Sequence, residues 1–329
     1  MKESDIRPEI LYRRYLELSH EDAENCFSDD ARIDIPCVAC GSDRTTIAFE
    51  KLGFQYVQCE TCKTLYQSPR PSLSAFEAFY RDSVSSNYWA EVFFPATSEI
   101  RRETIFRPRV ARLSQIADQR GVDVSRLIDV GAGYGIFVDE WRKHDSAAHI
   151  VAVEPSKSLA SECRKKGFET SENIVEEVDG YDQFADLVVC FEVLEHAFDP
   201  VSFINSMTRL VRPGGLVFIS TLCIDGFDLQ MLWDKSNQIF PPHHINFLSV
   251  EGFKRLFERC GLVDITVTTP GKLDVDIIRN ASFENPELLN GQRFLANVIK
   301  DDQLGASFQD FLANNALSSH AWVVGKMPL

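Results

Sequence analysis

Residues 126–138, Arg-Leu-Ile-Asp-Val-Gly-Ala-Gly-Tyr-Gly-Ile-Phe-Val, decide the fold of this chain. The apolar run at residues 127–130 predicts a short buried parallel strand, and helical periodicity resumes at Ile136. Between the strand and the helix stand Gly131, Gly133 and Gly135. Glycines at such a junction let the backbone turn sharply and come close to a ligand. The stretch therefore predicts a strand, a ligand-binding loop and a helix in succession.

A second apolar run, at residues 149–153, ends in Glu154. An acid at the end of the second strand of a doubly wound sheet can accept hydrogen bonds from both hydroxyls of a ribose. A dinucleotide-binding loop would follow the spacing Gly-x-Gly-x-x-Gly, and its third glycine would fall at Ile136. The residues therefore predict a nucleoside site, and Ile136 argues against the alternative of a nicotinamide-dependent dehydrogenase.

The loop has the form Asp129-x-Gly-x-Gly-x-Gly, and Glu154 follows nineteen residues after the third glycine. This pattern resembles that of the class I S-adenosylmethionine-dependent methyltransferases. In that family the loop passes beside the amino acid part of the cofactor, and the acid holds the ribose. The resemblance implies that S-adenosylmethionine is bound by Asp129, Gly131, Gly133, Gly135 and Glu154.

Two further motifs extend the resemblance over about residues 35–270. Residues 186–200 read Asp-Leu-Val-Val-Cys-Phe-Glu-Val-Leu-Glu-His-Ala-Phe-Asp-Pro, and residues 212–215 read Arg-Pro-Gly-Gly. Both are similar to motifs of small-molecule methyltransferases of this class. They imply an α/β fold, in which a doubly wound, seven-stranded, Rossmann-like sheet binds its ligands at the C-terminal ends of the strands.

Binding at the C-terminal ends of the strands implies further contacts with the cofactor. We expect the methionine part of the cofactor beside Cys190, Phe191 and Glu192. We expect the adenine beside Asn173 and Ile174, which follow the third strand. Glu195 and His196 are interpreted as residues that orient the loop, because an acid and an imidazole there need not take part in the chemistry.

Composition limits the classes of partner. The 329 residues are 44% hydrophobic, which is typical of a globular chain long enough for two domains. The net charge of −15 argues against nucleic acid and anionic membrane partners. No apolar run is long enough to span a bilayer and no signal-peptide core is evident, so we expect a cytoplasmic protein. The sequence leaves the oligomeric state open.

Four of the nine cysteines form two Cys-x-x-Cys pairs, at Cys37 and Cys40 and at Cys59 and Cys62. With β-rich sequence between them, the pairs predict a zinc ribbon in which each tight turn supplies two thiolates. Four thiolates close a tetrahedral coordination shell, so the zinc is expected to be structural. The alternative, a reactive thiolate that itself accepts methyl, is less compatible with a closed shell.

The segment Ile239-Phe-Pro-Pro-His-His-Ile-Asn-Phe-Leu-Ser places His243 and His244 in a proline-stiffened loop. In the family fold this loop overhangs the methyl group of the cofactor, and imidazole is well suited to take a proton near neutral pH. We therefore predict that one of the two histidines is a general base. The alternative is that a histidine here only hydrogen-bonds a neighbouring loop.

Five segments are expected between the N-terminus and the C-terminus. They are a helical arm (1–34), the zinc ribbon (35–70), a helical linker or lid (71–125), the methyltransferase core (126–270 and 318–329) and a helical insertion over the substrate site (271–317). Within the arm, Ser19 is expected to cap a second short helix. A long helix is expected at 97–120, and the insertion is expected to contain helices near 286–300 and 307–315.

The functional prediction is methyl transfer from S-adenosylmethionine to a small molecule. O-methylation of a sugar, a polysaccharide precursor or another hydroxylated metabolite is the leading interpretation. A sugar C-methyltransferase is the first alternative, but enzymes of that kind with this ribbon carry a further C-terminal domain, whereas this chain ends at the seventh strand. The second is a non-catalytic ribbon that binds a partner, which the few basic residues at 37–62 disfavour.

Overall fold

The computed structural model describes residues 2–27 and 31–329, so residues 1 and 28–30 of the expected arm lie outside the described residues. The chain forms two compact units. The first, termed the ribbon unit, comprises Met1–Tyr88, Leu222–Phe253 and Val267–Trp322. The second, the sheet unit, comprises Trp89–Thr221, Lys254–Thr266 and Val323–Leu329. The glycine loop belongs to the sheet unit, whereas the four paired cysteines and the two tandem histidines belong to the ribbon unit.

Seven strands form one sheet, as the sequence predicted. They are β1 (Arg126–Val130), β2 (His149–Val153), β3 (Glu169–Ser171), β4 (Ala185–Phe191), β5 (Val211–Leu222), β6 (Val263–Thr268) and β7 (His320–Lys326). Their order across the sheet is β6-β7-β5-β4-β1-β2-β3. The pairs β5–β4, β4–β1, β1–β2 and β2–β3 are parallel. The chain reverses direction across the sheet between β1 and β4, which is where doubly wound sheets bind their ligands.

The central strands are buried because nearly all of their residues are apolar, with Asp129 in β1 and Asp186 in β4 as the buried exceptions. All seven residues of β4 are buried, as are the last four of β1. A parallel strand that is covered on both faces requires such a continuous apolar run. The helix after β4 begins at Pro200, and Asp199 caps it by accepting hydrogen bonds from the backbone N–H groups of Val201 and Ser202.

The other helices of the sheet unit lie before and between these strands. The helices Phe94–Arg101 and Arg107–Gln119 are joined by the π-helical turn Arg102–Phe106, and a further π-helical turn, Trp89–Phe93, precedes them. This continuous stretch confirms the predicted long helix. The remaining elements are the helices Ile136–His144 and Lys157–Lys165 and the 3-10 turns Val175–Glu177 and Leu194–His196.

A buried carboxylate joins the N-terminal ends of β1, β4 and β5. Asp186 Oδ2 accepts hydrogen bonds from the N–H of Arg126 at 2.8 Å and from the N–H and hydroxyl of Ser125, both at 3.0 Å. The guanidinium of Arg212 donates to Oδ1. Burial opposes ionisation, but the hydrogen bonds from Arg212, Arg126 and Ser125 outweigh it and lower the pKa of Asp186. One ionised side chain thus fixes three strand ends.

The ribbon unit contains a four-stranded sheet that includes a strand from far along the chain. Its order is Asn246–Phe247, Leu65–Gln67, Phe54–Cys59 and Thr45–Lys51. All three pairings are antiparallel. A separate two-stranded pairing joins Arg32–Ile33 to Arg70–Pro71. The segment that carries the tandem histidines therefore leads directly into the ribbon sheet.

The arm contains the short helix Glu3–Ile6 and one continuous helix, Glu9–Cys26. The prediction that Ser19 caps a second helix was wrong, because Ser19 lies within the helix and its buried hydroxyl donates to the carbonyl of Tyr15. A serine that bonds back to the preceding turn is compatible with a helix interior.

The insertion between β6 and β7 is helical, as predicted. Its helices are Asp274–Glu284, Arg293–Lys300 and Asp302–Asn314, with a 3-10 turn at Pro286–Leu289. The first of these helices was not predicted. The insertion forms its own core, in which the buried members are Leu232, Val275, Ile277, Ile278, Ile299 and Leu312.

The helices not yet described are Leu73–Asp82, Val84–Tyr88, Phe227–Leu232 and Val250–Arg259, with a 3-10 turn at Trp233–Lys235. Across the described ranges, no helix combines the length and apolar character needed to cross a bilayer.

Replacing Asp186 by Asn should lower the free energy of unfolding at pH 7 by about 1–3 kcal/mol, because buried donors lose a charged acceptor. The folded pKa of Asp186 lies below its unfolded value, so this contribution is present above about pH 4 and is lost as the pH falls through the folded pKa. Urea unfolding at pH 7 and at pH 3 measures both effects. The exposed Asp182→Asn is the matched control; equal losses in the two variants would contradict the prediction.

Candidate functional site

The loop between β1 and the following helix requires its glycines. Gly131, Gly133 and Gly135 all have positive φ, at 76°, 54° and 65°. A Cβ on Gly131 would lie 2.6 Å from Cγ2 of Val193, and one on Gly135 would lie 3.0 Å from Sγ of Cys163. Other residues would be strained in this backbone conformation, and at Gly131 and Gly135 their Cβ would also be too close to a neighbouring side chain. The close turn brings the loop against the end of β2, where the N–H groups of Gly131 and Ala132 donate to the carbonyl of Val153.

Glu154, which follows β2, is hydrogen-bonded to the loop. Its Oε2 accepts the N–H of Gly133 at 2.8 Å, and its Oε1 accepts the N–H of Ser156 at 2.9 Å. The side chain is only 7% exposed, and burial raises its pKa against the lowering effect of these two donors. Each carboxylate oxygen has a second lone pair, so the group can still accept hydrogen bonds from a ligand.

Asp129, in β1, is almost completely buried. Burial, with a smaller contribution from Glu154, raises its pKa to about 8, and Arg109 opposes the rise. Within residues 2–27 and 31–329, no hydrogen-bond donor reaches its Oδ1. A buried polar atom without a partner is costly, and in a cleft it commonly marks a ligand site.

The residues predicted at the end of β4 adopt an unusual geometry. Glu192 has a φ of 57°, and its Oε1 accepts hydrogen bonds from the hydroxyl of Ser220 at 2.6 Å and from Arg109 at 3.2 Å. The guanidinium of Arg109 lies 4.6 Å from the ring centroid of Phe191. Cys190 is fully buried in the strand. Strained backbone of this kind recurs at functional sites.

Glu195 lies in the turn after Glu192. It is 2% exposed, its Oε2 accepts the hydroxyl of Thr221 at 2.7 Å, and burial and the nearby Glu192 raise its pKa. These contacts agree with its interpretation as a residue that orients the loop.

Arg109 is a site residue that the sequence reasoning missed. It is 5% exposed, and burial lowers its pKa against the raising effect of Glu192 and Asp129. The sequence contains a sign of this burial, because Arg109 lies three residues after Phe106 and four before Leu113, on the apolar side of its helix. A charged residue on a buried face needs a charged partner.

An aromatic cover over the glycine loop was also missed. Tyr134, between the second and third glycines, stacks on Phe94 with ring centroids 5.3 Å apart and planes at 4°. Its hydroxyl donates to the carbonyl of Ala90, and the guanidinium of Arg101 lies 5.5 Å from the ring of Phe94. Both partners come from the helical stretch that begins with a π-helical turn, a feature frequent at functional sites.

Asn173 and Ile174 lie just beyond the end of β3. Asn173 donates to the carbonyl of Glu177 at 3.4 Å, and the side chain of Ile174 is 46% exposed. Because β3 lies next to β2 in the sheet, their contact with the adenine stays a prediction.

Within the sheet unit, the predicted residues meet at the C-terminal ends of β1, β2 and β4. Four carboxylates belong to this edge, together with one buried guanidinium, that of Arg109. The carboxylates are Asp129, Glu154, Glu192 and Glu195. An excess of acids at this edge favours ligands that carry positive charge, and a bound cationic group would in turn lower the raised pKa of Asp129 and favour its ionised form.

The four paired cysteines of the ribbon unit have equivalent local structures. The N–H of Cys37 donates to the carbonyl of Ser42 and the N–H of Cys59 to that of Thr64, both at 2.9 Å. Each turn closes at a residue of positive φ, Gly41 or Lys63. All four sulfur atoms lie within 4.8 Å of one another, and the pairs Cys37–Cys62 and Cys40–Cys59 are 3.5 Å apart.

That spacing can be tested against a metal ion. Four sulfur atoms about 2.3 Å from a tetrahedral zinc would be about 3.8 Å apart. The observed separations fit this arrangement, and the donor set of four thiols is the one that structural zinc prefers.

The two tandem histidines differ in their surroundings. His243 is 3% exposed, and its Nε2 lies 2.8 Å from the hydroxyl of Ser85. Its ring packs against those of Phe79 and Phe240, with centroids 4.8 Å and 5.4 Å away. His244 is half-buried, and its Nδ1 lies 2.7 Å from the carbonyl of Gln238. A carbonyl can only accept, so Nδ1 carries the proton and Nε2 has the lone pair in neutral His244.

Comparisons with known proteins bear on this site. A family model described as a methyltransferase domain matches residues 98–267, more than half of the chain. The chain is 31% identical over 140 residues to a ubiquinone biosynthesis O-methyltransferase of Aromatoleum aromaticum, which covers 40% of this chain and 58% of that protein. A protein of the same name from Pseudomonas aeruginosa is 32% identical over 135 residues, covering 37% and 56%. The chain thus spans just over half the length of these curated relatives.

Among solved structures, the chain is similar to the plantazolicin methyltransferase BamL in complex with a triazolic desmethylPZN analog and SAH. The TM-score is 0.50 at 12% identity, and the match covers 77% of this chain and 94% of that one. At this level of identity the similarity concerns the fold alone.

Proposed function

Because the chain belongs to the class I S-adenosylmethionine-dependent methyltransferases, we propose that it transfers the methyl group of S-adenosylmethionine to a hydroxyl group of a small molecule. The observation that carries this proposal is the buried Glu154, which is tied to a loop of three glycines at the point where the sheet order reverses. That arrangement supplies the acceptor for a ribose and a backbone surface close enough to touch a ligand.

The charges of the sheet unit support this cofactor. S-adenosylmethionine supplies a methyl group on a sulfonium and carries an ammonium and a carboxylate besides. The carboxyl groups of Asp129 and Glu192 provide acceptors for the cationic groups, and among the described residues no donor bonds to Oδ1 of Asp129. Arg109 provides the guanidinium that a ligand carboxylate requires. Phe191 and the stack of Tyr134 on Phe94 would exclude water from this part of the site.

His244 is the stronger of the two candidates for the base. The hydrogen bond from its Nδ1 orients the ring and leaves the lone pair on Nε2, the arrangement that a general base needs. His243 is buried among aromatic rings and bonded to Ser85, which favours a structural role. We infer that Nε2 of His244 takes the proton of the acceptor hydroxyl as the oxygen bonds to the methyl carbon and the bond from that carbon to the sulfonium sulfur breaks, which leaves S-adenosylhomocysteine.

The acceptor is proposed only by chemical class. The curated relatives bear the name of O-methyltransferases of ubiquinone biosynthesis, which favours a hydroxyl as the acceptor. A phenolic hydroxyl and a sugar hydroxyl both fit a mechanism with one imidazole base. The sugar or polysaccharide precursor expected from the sequence remains a prediction.

We also propose that the four paired cysteines hold one structural zinc ion. The support is the equivalence of the two turns and the tetrahedral spacing of the sulfur atoms. Zinc at this position would supply folding energy, because four protein ligands leave no coordination position for a water molecule or substrate.

Replacing Glu154 by Gln should weaken S-adenosylmethionine binding about 10- to 100-fold, because the side chain loses a charged acceptor. Calorimetric titration measures the dissociation constants of both proteins, and circular dichroism checks that the variant is folded. Glu258→Gln, on an exposed helix position of the same unit, is the control. A folded Gln variant with wild-type affinity would refute the ribose assignment.

Protein purified without chelator should contain about one zinc ion per chain. Elemental analysis should show that Cys59→Ser loses the metal, because three thiolates bind it far less well. Cys26→Ser replaces an exposed cysteine outside the cluster and should retain it. Metal-free wild-type protein, or equal zinc in the two variants, would exclude the ribbon site.

Replacing His244 by Ala should lower turnover about 10²- to 10⁴-fold and leave the dissociation constant of S-adenosylmethionine unchanged. A panel of phenols and sugars, followed by release of S-adenosylhomocysteine, first identifies an acceptor. His149→Ala, an exposed position in β2, should keep full activity. Full turnover by the His244 variant would show that this imidazole is not the base.

A further inference from the structure

Residues 236–249, termed the histidine loop, are held along their backbone by hydrogen bonds. The donors come from the arm, the ribbon and the helix Leu73–Asp82. Five of the loop's carbonyl groups accept hydrogen bonds from these elements. The pairs are Lys51 Nζ to Ser236 (2.8 Å), the Tyr12 hydroxyl to Asn237 (3.4 Å), the Tyr80 hydroxyl to His243 (3.3 Å), the Tyr56 hydroxyl to His244 (2.6 Å) and the Gln67 N–H to Ile245 (2.9 Å).

The C-terminal part of the histidine loop is itself a strand of the ribbon sheet. Asn246 pairs with Tyr66 and Phe247 with Leu65. The side chain of Asn246 accepts a hydrogen bond at 2.8 Å from Arg70, which is only 1% exposed. A guanidinium buried this deeply is costly unless its donors are satisfied, so the pair strongly favours one conformation.

The loop is also bonded directly to the cysteine cluster. The hydroxyl of Ser249 donates to the carbonyl of Cys62, and the N–H of Gly252 donates to the same Ser249 oxygen at 2.8 Å. A Cβ on Gly252 would lie 2.3 Å from Oγ1 of Thr64, two residues after Cys62. The cysteine turn and the end of the loop therefore pack too closely for either to move alone.

We propose that the ribbon positions the proposed base, and that Tyr56 and Arg70 are the positioning residues. This inference rests on the proposed role of His244. The backbone carbonyl of His244 is held by Tyr56, and its Nδ1 is held by the carbonyl of Gln238. Because both the backbone and the ring of His244 are held, the orientation of its Nε2 is fixed. Arg70 fixes the backbone two residues further on, through its hydrogen bond to Asn246.

The same contacts make the order of the histidine loop depend on the folded ribbon. The bonds from Tyr56 and Gln67 come from the two strands that flank the second cysteine turn, Phe54–Cys59 before it and Leu65–Gln67 after it, so their geometry depends on the folded ribbon. A ribbon whose fold requires its metal would lose these bonds when the metal is removed. The order of the histidine loop is thereby linked to the four cysteines.

Tyr56→Phe is the sharpest test, because it removes only the hydroxyl that binds the carbonyl of His244. The ring of residue 56 keeps its packing against Phe49 and Phe247, at 5.2 Å and 6.3 Å, so the variant should fold. Amide hydrogen exchange across residues 243–247 should become about 5- to 10-fold faster, as expected for the loss of one hydrogen bond. Exchange in β1, β2 and β4 should not change.

The nitrogen and carbon chemical shifts of the His244 imidazole provide a readout that a general loss of stability would not move. In Tyr56→Phe and in Asn246→Ala they should shift toward a mixture of the two tautomers. Tyr181→Phe, which removes a hydroxyl bonded to Glu169 in the sheet unit, is the matched control and should leave both readouts unchanged. Removal of zinc with a chelator should abolish protection of residues 243–247 while β1, β2 and β4 remain protected.

Neither readout requires an acceptor or bound S-adenosylmethionine, so they are independent of the tests of the proposed function. Wild-type exchange and wild-type imidazole shifts in Tyr56→Phe would overturn the inference, as would a fully protected loop in zinc-free protein. If His244→Ala loses activity but Tyr56→Phe shows neither faster exchange nor altered imidazole shifts, the role of His244 as the base is supported and its positioning by the ribbon is rejected.

Discussion

The carboxylate of Glu154 is the group on which the sheet unit depends. It accepts one N–H from the glycine loop and one from the turn after β2, so a single side chain joins the ends of two neighbouring strands. The loop can turn this closely because all three glycines have positive φ and because Gly131 and Gly135 have no Cβ to meet a neighbouring side chain. Asp129, Arg109 and Glu192 then surround the same edge, and their charges determine which ligand the edge can accept.

The ribbon unit follows a different physical rule. Its sheet is small, and a chain segment this short buries too little apolar surface to be stable without help. Four thiolates at tetrahedral spacing provide that help when zinc is bound. We propose that zinc bound there would also stabilise the histidine loop, because the loop pairs with the ribbon as a strand and five of its carbonyls accept hydrogen bonds from the ribbon, the arm and the helix Leu73–Asp82.

Much of this structure could be predicted from local sequence. Continuous apolar runs identified the buried strands, the glycine spacing identified the loop, and the two Cys-x-x-Cys pairs identified the cluster, because each of these features is short in sequence. Contacts between distant residues could not be predicted in this way. The pairing of Asn246 with Tyr66, the approach of Arg109 to Glu192 and the stack of Phe94 on Tyr134 all depend on tertiary packing. The helix Asp274–Glu284 was missed because its polar first turn obscures its apolar face.

The central claim is that the edge formed by the glycine loop and Glu154 binds S-adenosylmethionine. Calorimetric titration of the purified wild-type protein with S-adenosylmethionine, and in parallel with NAD, tests it most directly. We predict saturable binding of S-adenosylmethionine at one site per chain, and no heat of binding with NAD, because Ile136 occupies the position of the third glycine that a dinucleotide loop requires. Saturable binding of NAD, or no binding of S-adenosylmethionine to folded protein, would contradict it.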